Sequence, residues 1–458
     1  MKKSKSELRH AVHKIPVLRF EDQCLTSFSG LVLFQRLFEV LELKRRLKAS
    51  VRHLSSSASY GLHTIIFVLV LHLILGWRRI RDLDYYRDDP MVLRTLGLSK
   101  MPHVSTVTRA LRQMDHRVVE RIGDVNWKLV WERVQHERLA TLTIDFDGSL
   151  QSTKSRTTEG TAVGYNPKAK GQRSYYPLFA TIAQTGQVLR VLHRPGNVHD
   201  SNGAAGFVKE VFLDLRAGGY RGRLEARMDS AHFNDSTCLF LDDQGVEFSV
   251  SVPFERVPAL KTMIKTRERW QRIDDDWSFF EPEWKPKKWK RSFRCIVYRH
   301  RVKTPRKGPI QLNLFAPVDR QFEYKVVLTN KDVSAAALLG FHNGRGSQEG
   351  LFAELKSQTQ MDYIPTRRLV GNQVYLLSAV LAHNLNRELQ MRISKPQRRN
   401  TLTRACLWLF ERTGTFRKRL VQRAGRLTRP LGNLTLTLAA NQATATELQQ
   451  SLHSIKAA

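Results

Sequence analysis

The sequence predicts an α/β protein, and two changes of pattern along the chain support this prediction. Residues 1–135 contain long runs of helix-forming residues, whereas from Leu139 onward apolar and polar side chains alternate with the period of a strand. Near residue 256 a block begins that combines strand-like runs with many aromatic and basic residues, and helical patterns return after residue 330. We therefore expect five segments: a helical N-terminal region (1–135), the first part of a mixed β/α core (136–255), a β-rich insertion (256–330), the second part of the core (331–395) and a basic C-terminal region (396–458).

The charge of the chain indicates what kind of partner it has. Lys and Arg number 75 against 42 Asp and Glu, which gives a formal net charge of +33. Such a surplus attracts polyanions, and nucleic acid is the leading candidate because each neutralised phosphate releases counterions. An anionic membrane surface is the alternative that charge alone leaves open. Hydrophobic residues make up 41% of the chain, enough for a sizeable core and too many for wholesale disorder.

Cysteines and apolar runs favour a cytoplasmic protein that does not enter a membrane. The four cysteines lie far apart without paired spacing, which argues against a zinc site and a disulfide framework and predicts reduced thiols. The basic start of the chain is not followed by an apolar signal core. The most apolar run, residues 64–76, is short for a membrane span and is interrupted by His72, so it predicts a buried helix.

A possible DNA-reading element lies within residues 97–114. Ser105 can cap a helix whose apolar side chains recur at helical spacing from Val107 to Met114, and Arg109 would lie on its open side. With the preceding short helix and a turn at Met101-Pro102, the arrangement resembles a helix-turn-helix, which would make residues 1–135 a DNA-binding region. An ordinary corner of a helical bundle explains the same pattern equally well.

Two predicted strands each end in an acidic residue on their polar face. In "TLTIDFDG", residues 141–148, Thr143, Asp145 and Asp147 alternate with apolar side chains, so both acids face away from the apolar side. In "LEARMDSAHF" the same alternation places Asp229 at the end of the strand. A sheet that makes these strands neighbours would bring Asp147 and Asp229 together. Asp145 is the alternative to Asp147, which is favoured by its position at the strand end before Gly148.

Paired carboxylates from separate strands suit phosphodiester chemistry. Two divalent ions about 4 Å apart can activate the attacking oxygen and stabilise the leaving oxygen, and carboxylates hold Mg²⁺ or Mn²⁺ well. A third acid is then expected from a later helix, and "HNGRGSQEGLFAELK" supplies Glu349. Arg345 and Lys356 lie four residues before and seven residues after Glu349, so on a helix all three are close to one face and point at the same phosphates. Glu354 lies on another part of the turn and is a weaker candidate.

The ordered acids resemble those of insertion-sequence transposases with a DDE catalytic domain, in which a ribonuclease-H-like fold is interrupted by a β-rich insertion. In that group the third acid lies in a signature of Tyr, two residues, Arg, three residues, Glu, six residues and Lys. This chain matches the signature at Arg345, Glu349 and Lys356, and His342 replaces the tyrosine. The segments "GYNP", "RSYYPL", "RPGNVHDS" and "LAHNLNREL" also resemble the group. The resemblance covers roughly residues 139–389.

The resemblance implies a fold and a reaction. The fold is an α/β ribonuclease-H-like mixed-sheet catalytic core with a β-rich insertion domain and a helical N-terminal DNA-binding region. The reaction is metal-dependent cleavage of a transposon end by an endonuclease activity, followed by transfer of the freed 3′ end to a second strand. Asp147, Asp229 and Glu349 would be the catalytic residues and the ligands of two Mg²⁺ or Mn²⁺ ions.

The resemblance also implies partners and DNA contacts. The partners are double-stranded DNA, as transposon terminal inverted repeats and as target, and a second copy of the chain, since pairing two ends needs two subunits. A bacterial cytoplasmic location, on the nucleoid when DNA is bound, follows. Arg345, Lys356 and His342 would contact DNA beside the metals. Relatives with this insertion often stack a flipped base on an insertion tryptophan, an interaction worth about 1–3 kcal/mol. The candidates, each of which core packing also explains, are Trp289, Trp284, Trp277 and Trp270.

Two other functions fit parts of the pattern. The chain could be a DNA-binding protein of transposase origin whose catalytic fold is idle, although the intact set of three acids speaks against this. It could also be another ribonuclease-H-like nuclease, such as one acting on RNA–DNA hybrids. The large insertion and the basic front end count against that alternative.

Overall fold

Strands form one large mixed sheet and two small sheets in the part of the chain that the computed structural model describes, which comprises residues 15, 17–18, 21, 23–54, 59–164, 166, 169–198, 203–302 and 322–456. The strands are β1 (Leu25–Thr26), β2 (Thr141–Gly148), β3 (Gln151–Thr153), β4 (Ala162–Val163), β5 (Arg173–Tyr175), β6 (Leu178–Ile182), β7 (Gln187–Leu192), β8 (Arg223–Met228), β9 (Glu247–Ser251), β10 (Gln271–Arg272), β11 (Trp277–Phe280), β12 (Arg294–Arg301), β13 (Phe322–Thr329), β14 (Gly425–Thr428) and β15 (Thr435–Leu438). The α-helices are α1 (Leu31–Val40), α2 (Leu43–Ser50), α3 (Leu62–Ile74), α4 (Pro90–Leu96), α5 (Val104–Gln113), α6 (His116–Glu137), α7 (Ala204–Ala217), α8 (Asp235–Asp243), α9 (Pro258–Thr266), α10 (Ala335–Asn343), α11 (Ser347–Gln358), α12 (Leu369–Ile393), α13 (Thr413–Phe416) and α14 (Gln442–Lys456).

The large sheet has the strand order β10-β11-β12-β13-β9-β8-β2-β6-β7. Strand β2 runs parallel to β8 and antiparallel to β6, and β8 runs parallel to β9. Strands β6 and β7 form an antiparallel hairpin, with an irregularity between Ala180 and Thr181. Because β2 and β8 are parallel neighbours, their carboxyl ends lie at the same edge of the sheet.

Strands β10 to β13 occupy the block where a β-rich insertion was expected, and they continue the large sheet. Strand β13 pairs antiparallel with β9 through Val327, Leu328 and Thr329, so hydrogen bonds run from the inserted strands to the central ones. The further strand predicted near residues 310–317 lies outside the described residues.

Two hydrophobic cores cover the two sides of the sheet. On one face, Leu142, Ile144 and Phe146 of β2 are fully buried against α7 and α8, as the alternation predicts. On the other side, α12 is buried along most of its length and packs against α3 and α6, which joins the helical front part to the sheet. The polar face of β2 is therefore covered by protein, and its acids do not simply face solvent.

The apolar run at residues 64–76 forms most of α3, and the prediction of a buried helix is confirmed. Every residue from Thr64 to Ile74 is buried, including His72, whose Nδ1 lies 2.6 Å from the hydroxyl of Tyr86. Burial lowers the pKa of His72 to about 4, so the ring is neutral at physiological pH. Among the described residues, none of the helices is both long and apolar enough to cross a membrane.

Candidate active site

Asp147 and Asp229 lie together at the carboxyl edge of the sheet. Phe146 of β2 pairs with Met228 of β8, so the two aspartates follow directly after paired residues on parallel strands. The sequence folds this way because each strand alternates, with its apolar side chains on the core side and its acids opposite. The charge of Asp229 acts on Asp147, which places the carboxylates within electrostatic reach of each other.

The surroundings of Asp147 leave its negative charge only partly balanced. Burial and the neighbouring charge of Asp229 raise the pKa of Asp147 to about 6. Arg345 opposes this shift through an ion pair of 2.9 Å between its Nη1 and Oδ2 of Asp147. The backbone N–H of Gly148 donates to Oδ1 at 2.8 Å. The carboxylate is 17% exposed, so a small ligand can reach it.

Asp229 is held in its ionised form. Burial acts to raise its pKa, but hydrogen bonding and charge from His232, together with the charge of Arg345, outweigh burial and lower it. The carboxylate oxygen Oδ1 lies 3.0 Å from Nδ1 of His232 and accepts from the backbone N–H of Ala231 at 3.0 Å. The other ring nitrogen of His232, Nε2, is buried without a hydrogen-bond partner. Asp229 thus begins a short turn and keeps its charge.

The predicted helix carrying Arg345, Glu349 and Lys356 is broken at its start. Helix α10 ends at Asn343, a 3₁₀ turn spans Gly344–Gly346, and α11 follows. Arg345 therefore projects from the turn toward Asp147, while Glu349 lies in the first turn of α11 and Lys356 in its last.

Glu349 is exposed, unlike the other two predicted catalytic acids. Within the described ranges, no group of three His, Cys, Asp or Glu side chains is close enough to hold a metal ion together. Asp147 and Asp229 follow paired residues on neighbouring strands, whereas Glu349 lies on the surface at the start of α11. Lys356, seven residues further along α11, lies close to the face of Glu349 and is half-buried.

His342 lies inside the protein, which argues against its predicted contact with DNA. The side chain is 3% exposed, and its ring nitrogens lie 2.9 Å from the hydroxyls of Ser249 and Ser251. Burial and nearby cations, Lys325 and Arg345 among them, lower the pKa of His342 to about 3, so it is neutral. Its partners are the hydroxyls of these two serines, both on β9. The family signature, which has a tyrosine at this position, gave no indication that the side chain is enclosed.

Asp145 is unsuited to the predicted role of substitute metal ligand. Its carboxylate is 2% exposed and forms a bidentate ion pair with Arg227, with distances of 2.5 Å from Nε to Oδ1 and 2.7 Å from Nη2 to Oδ2. An oxygen pair engaged in this way has little left to offer a metal. Glu354, the weaker alternative to Glu349, is likewise engaged by Arg387 and Thr413.

Helices α4 and α5 form where a helix-turn-helix or bundle corner was expected. Arg109 on α5 is exposed, while Val107 and Leu111 are buried, as the periodicity predicts. The cap differs from the prediction, because His103 rather than Ser105 caps the helix and its side chain accepts from the backbone N–H of Ser105. The cap and the start of the helix therefore lie two residues earlier than a cap at Ser105 predicted.

Two of the insertion tryptophans pack on a residue close in sequence to Asp229. Trp289 and Trp284 both stack on Phe233, with ring centroids 4.8 and 6.5 Å away, and Phe233 follows Asp229 by four residues. Both tryptophans are half-buried. Trp270 and Trp277 pack elsewhere, against Phe280 and His300. Trp289 and Trp284 therefore pack on the same core as β2 and β8 through Phe233.

Several site residues were missed by the sequence prediction. Arg227, Gln348 and His232 all contact Asp145 or Asp229, yet none was assigned a role. The alternation of β8 placed Arg227 on the same face as Asp229, and this was a usable signal for a buried charge partner of Asp145. Gln348 gave no comparable signal, because its role depends on which face of α11 meets the sheet.

The relatives of this chain are identified by its similarity to a known protein family. The sequence profile of the family described as transposase DDE domain group 1 matches residues 11–458. The chain belongs to this family. As a DDE transposase it has a role in DNA transposition, and the family's activity is in general to cut and transfer DNA strands. No curated protein matches this chain.

Solved structures with some similarity to this transposase are also transposases. A piggyBac transposase synaptic complex with hairpin DNA has 12% identity and a TM-score of 0.40, with 84% of this chain and 80% of that chain covered. A Mos1 transposase paired-end complex with the left transposon end has 13% identity and a TM-score of 0.16, with 43% and 60% covered. A Mos1 mariner paired-end complex with Mn has 14% identity and the same TM-score and coverage.

Proposed function

We propose that this protein is an active insertion-sequence transposase that binds the terminal inverted repeats of its element, cleaves a strand at each end and joins the freed 3′ ends to target DNA. The observation that carries the proposal is the pair of carboxylates, Asp147 and Asp229, at the ends of parallel neighbouring strands, with Arg345 in an ion pair with Asp147 and its charge acting on Asp229. The order β7-β6-β2-β8-β9, with an antiparallel hairpin on one side of β2 and parallel strands on the other, supports a ribonuclease-H-like core.

The residues present fit a pair of divalent cations. Asp147 and Asp229 offer hard oxygen ligands, and burial together with the neighbouring charge of Asp229 raises the pKa of Asp147 to about 6, which a bound cation would oppose. Asp147, Asp229 and Glu349 would hold the ions. Bound there, Mg²⁺ or Mn²⁺ supplies charge stabilisation to the attacking and leaving oxygens of the phosphodiester.

The chain's own residues bind and orient the DNA. Arg345 ends beside both carboxylates, so its guanidinium is placed to donate to a phosphate oxygen next to the scissile bond. Lys356, on the same side of α11 as Glu349, would hold the neighbouring phosphate. The half-buried Trp284 and Trp289 are flanked by four exposed lysines, and this surface would bind the DNA backbone. The four are Lys285, Lys287, Lys288 and Lys290.

Glu349 would join the two aspartates around the ions when DNA binds. It lies in the first turn of α11, four residues after Arg345. DNA that draws Arg345 away from Asp147 onto a phosphate would supply the driving interaction. Two copies of the chain would be needed to pair two transposon ends.

Glu349 is exposed, and no group of three His, Cys, Asp or Glu among the described residues could hold a metal ion, which favours one alternative, a DNA-binding transposase relative without catalytic activity. A strand-nicking assay on a duplex carrying the element's end, with Mg²⁺ or Mn²⁺, distinguishes the two. Active enzyme should nick the duplex, and Asp147→Asn, Asp229→Asn and Glu349→Gln should each abolish nicking while retaining end binding. The matched control is Glu210→Gln, an exposed acid on α7 across the sheet, which should nick normally. Normal nicking by all three site variants would refute the proposal.

A further inference from the structure

A buried ion pair lies directly behind the candidate site. The side chain of Arg227 is 0% exposed, and its guanidinium is bidentate to Asp145 on the neighbouring strand. Removing charges from water is costly, and a buried pair of this kind is often no better for stability than apolar side chains of similar size. Asp145 lies two residues before Asp147, and Arg227 lies two residues before Asp229. The pair therefore adjoins the candidate site, where it can position other residues.

The remaining donor of Arg227 holds the turn that carries Arg345. Its Nη1 donates to the carbonyl of Phe341 at 3.1 Å and to the carbonyl of Thr403 at 2.7 Å. Phe341 lies in the last turn of α10, just before the 3₁₀ turn. A Cβ on Gly344 would overlap both Nη1 of Arg227 and the carbonyl of Thr403, so only glycine fits there. Arg227 therefore fixes where α10 ends and in which direction the turn leaves it.

A second contact ties the start of α11 to the same strand. The side chain of Gln348 is buried, and its Nε2 donates to the backbone carbonyl of Asp145 at 3.2 Å and lies 3.0 Å from the hydroxyl of Thr181. Gln348 directly precedes Glu349 in the chain. The first turn of α11 is thus attached to β2 two residues before Asp147.

We propose that Arg227, Asp145 and Gln348 are positioning residues that set Arg345 and Glu349 relative to Asp147 and Asp229. Arg227 and Asp145 hold the turn from the side of the sheet, and Gln348 fixes the first turn of α11, which carries Glu349, against β2. The inference rests on the proposed function, because it assigns a task to residues around the proposed catalytic acids. It adds residues that touch neither DNA nor metal.

The test replaces Gln348 by methionine, which has a similar length and lacks the amide donor. Gln348→Met should lower the single-turnover rate of end cleavage by about 10–100-fold, as is usual when partners of metal ligands are removed. It should also raise the Mg²⁺ concentration for half-maximal cleavage and leave the affinity for end DNA unchanged. The matched control is Gln358→Met at the far end of α11, whose amide Nε2 donates to the hydroxyl of the adjacent Ser357 and makes no described hydrogen bond to β2. It should leave both quantities unchanged.

Binding of Mn²⁺, which can be measured without catalysis, distinguishes a positioning role of Gln348 from general destabilisation of the protein. In the Glu349→Gln background, adding Gln348→Met should leave Mn²⁺ binding to the DNA complex unchanged, because the ligand that Gln348 positions is already lost. In the wild-type background, Gln348→Met should weaken Mn²⁺ binding. Equal weakening in both backgrounds, or equal effects of Gln348→Met and Gln358→Met, would overturn the inference.

Arg227→Lys tests the other half of the arrangement. Lysine keeps the charge but cannot bind Asp145 in bidentate fashion and reach Phe341 together. We expect a loss of cleavage rate at least as large as that of Gln348→Met, with end-DNA affinity retained. If the lysine variant does not fold, Gln348→Met still decides the question. Full loss of nicking in the three acid variants with wild-type kinetics in Gln348→Met would defeat this inference alone, whereas active acid variants would defeat the proposed function itself.

Discussion

Asp145 and Asp147 lie two residues apart on the same face of β2, yet their charges are balanced in different ways. Asp145 has a bidentate guanidinium and almost no exposure. Asp147 has one contact with Arg345, one backbone N–H donor and a second carboxylate nearby. Position on a strand alone therefore does not decide which acid can bind a ligand. Arg227 already occupies both oxygens of Asp145, whereas the carboxylate of Asp147 is partly exposed and can still accept a ligand.

The largest expected difference between the two aspartates is in cleavage. Asp147→Asn should lower the rate of end cleavage at least about 10³-fold, because several kcal/mol of stabilisation at the reacting oxygens are lost. Asp145→Asn should lower it by only about 10–100-fold, through displacement of the turn carrying Arg345. Single-turnover rates with saturating end DNA and Mg²⁺ measure both. Equal losses would erase the distinction drawn between them.

For the free energy of unfolding, the larger loss is expected at Asp145 and not at Asp147. Asp145→Asn should lower the free energy of unfolding by about 3–5 kcal/mol, because the buried guanidinium of Arg227 is left without its counter-charge. Denaturant unfolding followed by fluorescence measures this, with Glu210→Gln as the control that should match wild type. A loss below about 1 kcal/mol would mean that Arg227 finds other partners.

Asp147→Asn should stabilise the protein, and the gain should depend on pH. The folded-state pKa of Asp147 is about 6, above the ordinary value of 3.8, so the folded protein binds more protons than the unfolded chain between these values. Stability from this group is therefore present below about pH 4 and is lost as the pH rises through 6. The asparagine variant escapes this loss, so it should gain up to roughly 3 kcal/mol at pH 8 and nothing near pH 4. Unfolding at several pH values checks the trend, which an unchanged difference would contradict.

The smallest effect is expected at Arg109, far along the chain from either aspartate. If α5 contacts DNA, Arg109→Ala should weaken end binding modestly and lower the slope of log affinity against log salt by about 1, the contribution of a single phosphate contact. The cleavage rate at saturating DNA should not change. Exposed Arg112 on the same helix provides the matching variant. An unchanged salt dependence in both would favour the bundle-corner interpretation of α4 and α5.

Local patterns predicted most of the strands and helices, because alternation and helical spacing are properties of neighbouring residues. They placed Asp147 and Asp229 at the ends of strands, and the parallel pairing of β2 and β8 brought the two together as expected. The partners of buried polar groups could not be predicted, since they depend on which distant element covers them. His342 was misplaced on the DNA side for this reason: the serines that enclose it come from β9, about ninety residues earlier.

The continuity of the large sheet has a mechanical consequence. Strands β11 to β13 join β9 through a ladder of backbone hydrogen bonds, and β9 adjoins β8, the strand that Asp229 follows. A ladder of this kind resists bending far more than a linker does. Any group bound on strands β11 to β13 is therefore kept at a constant offset from the carboxylates of Asp147 and Asp229.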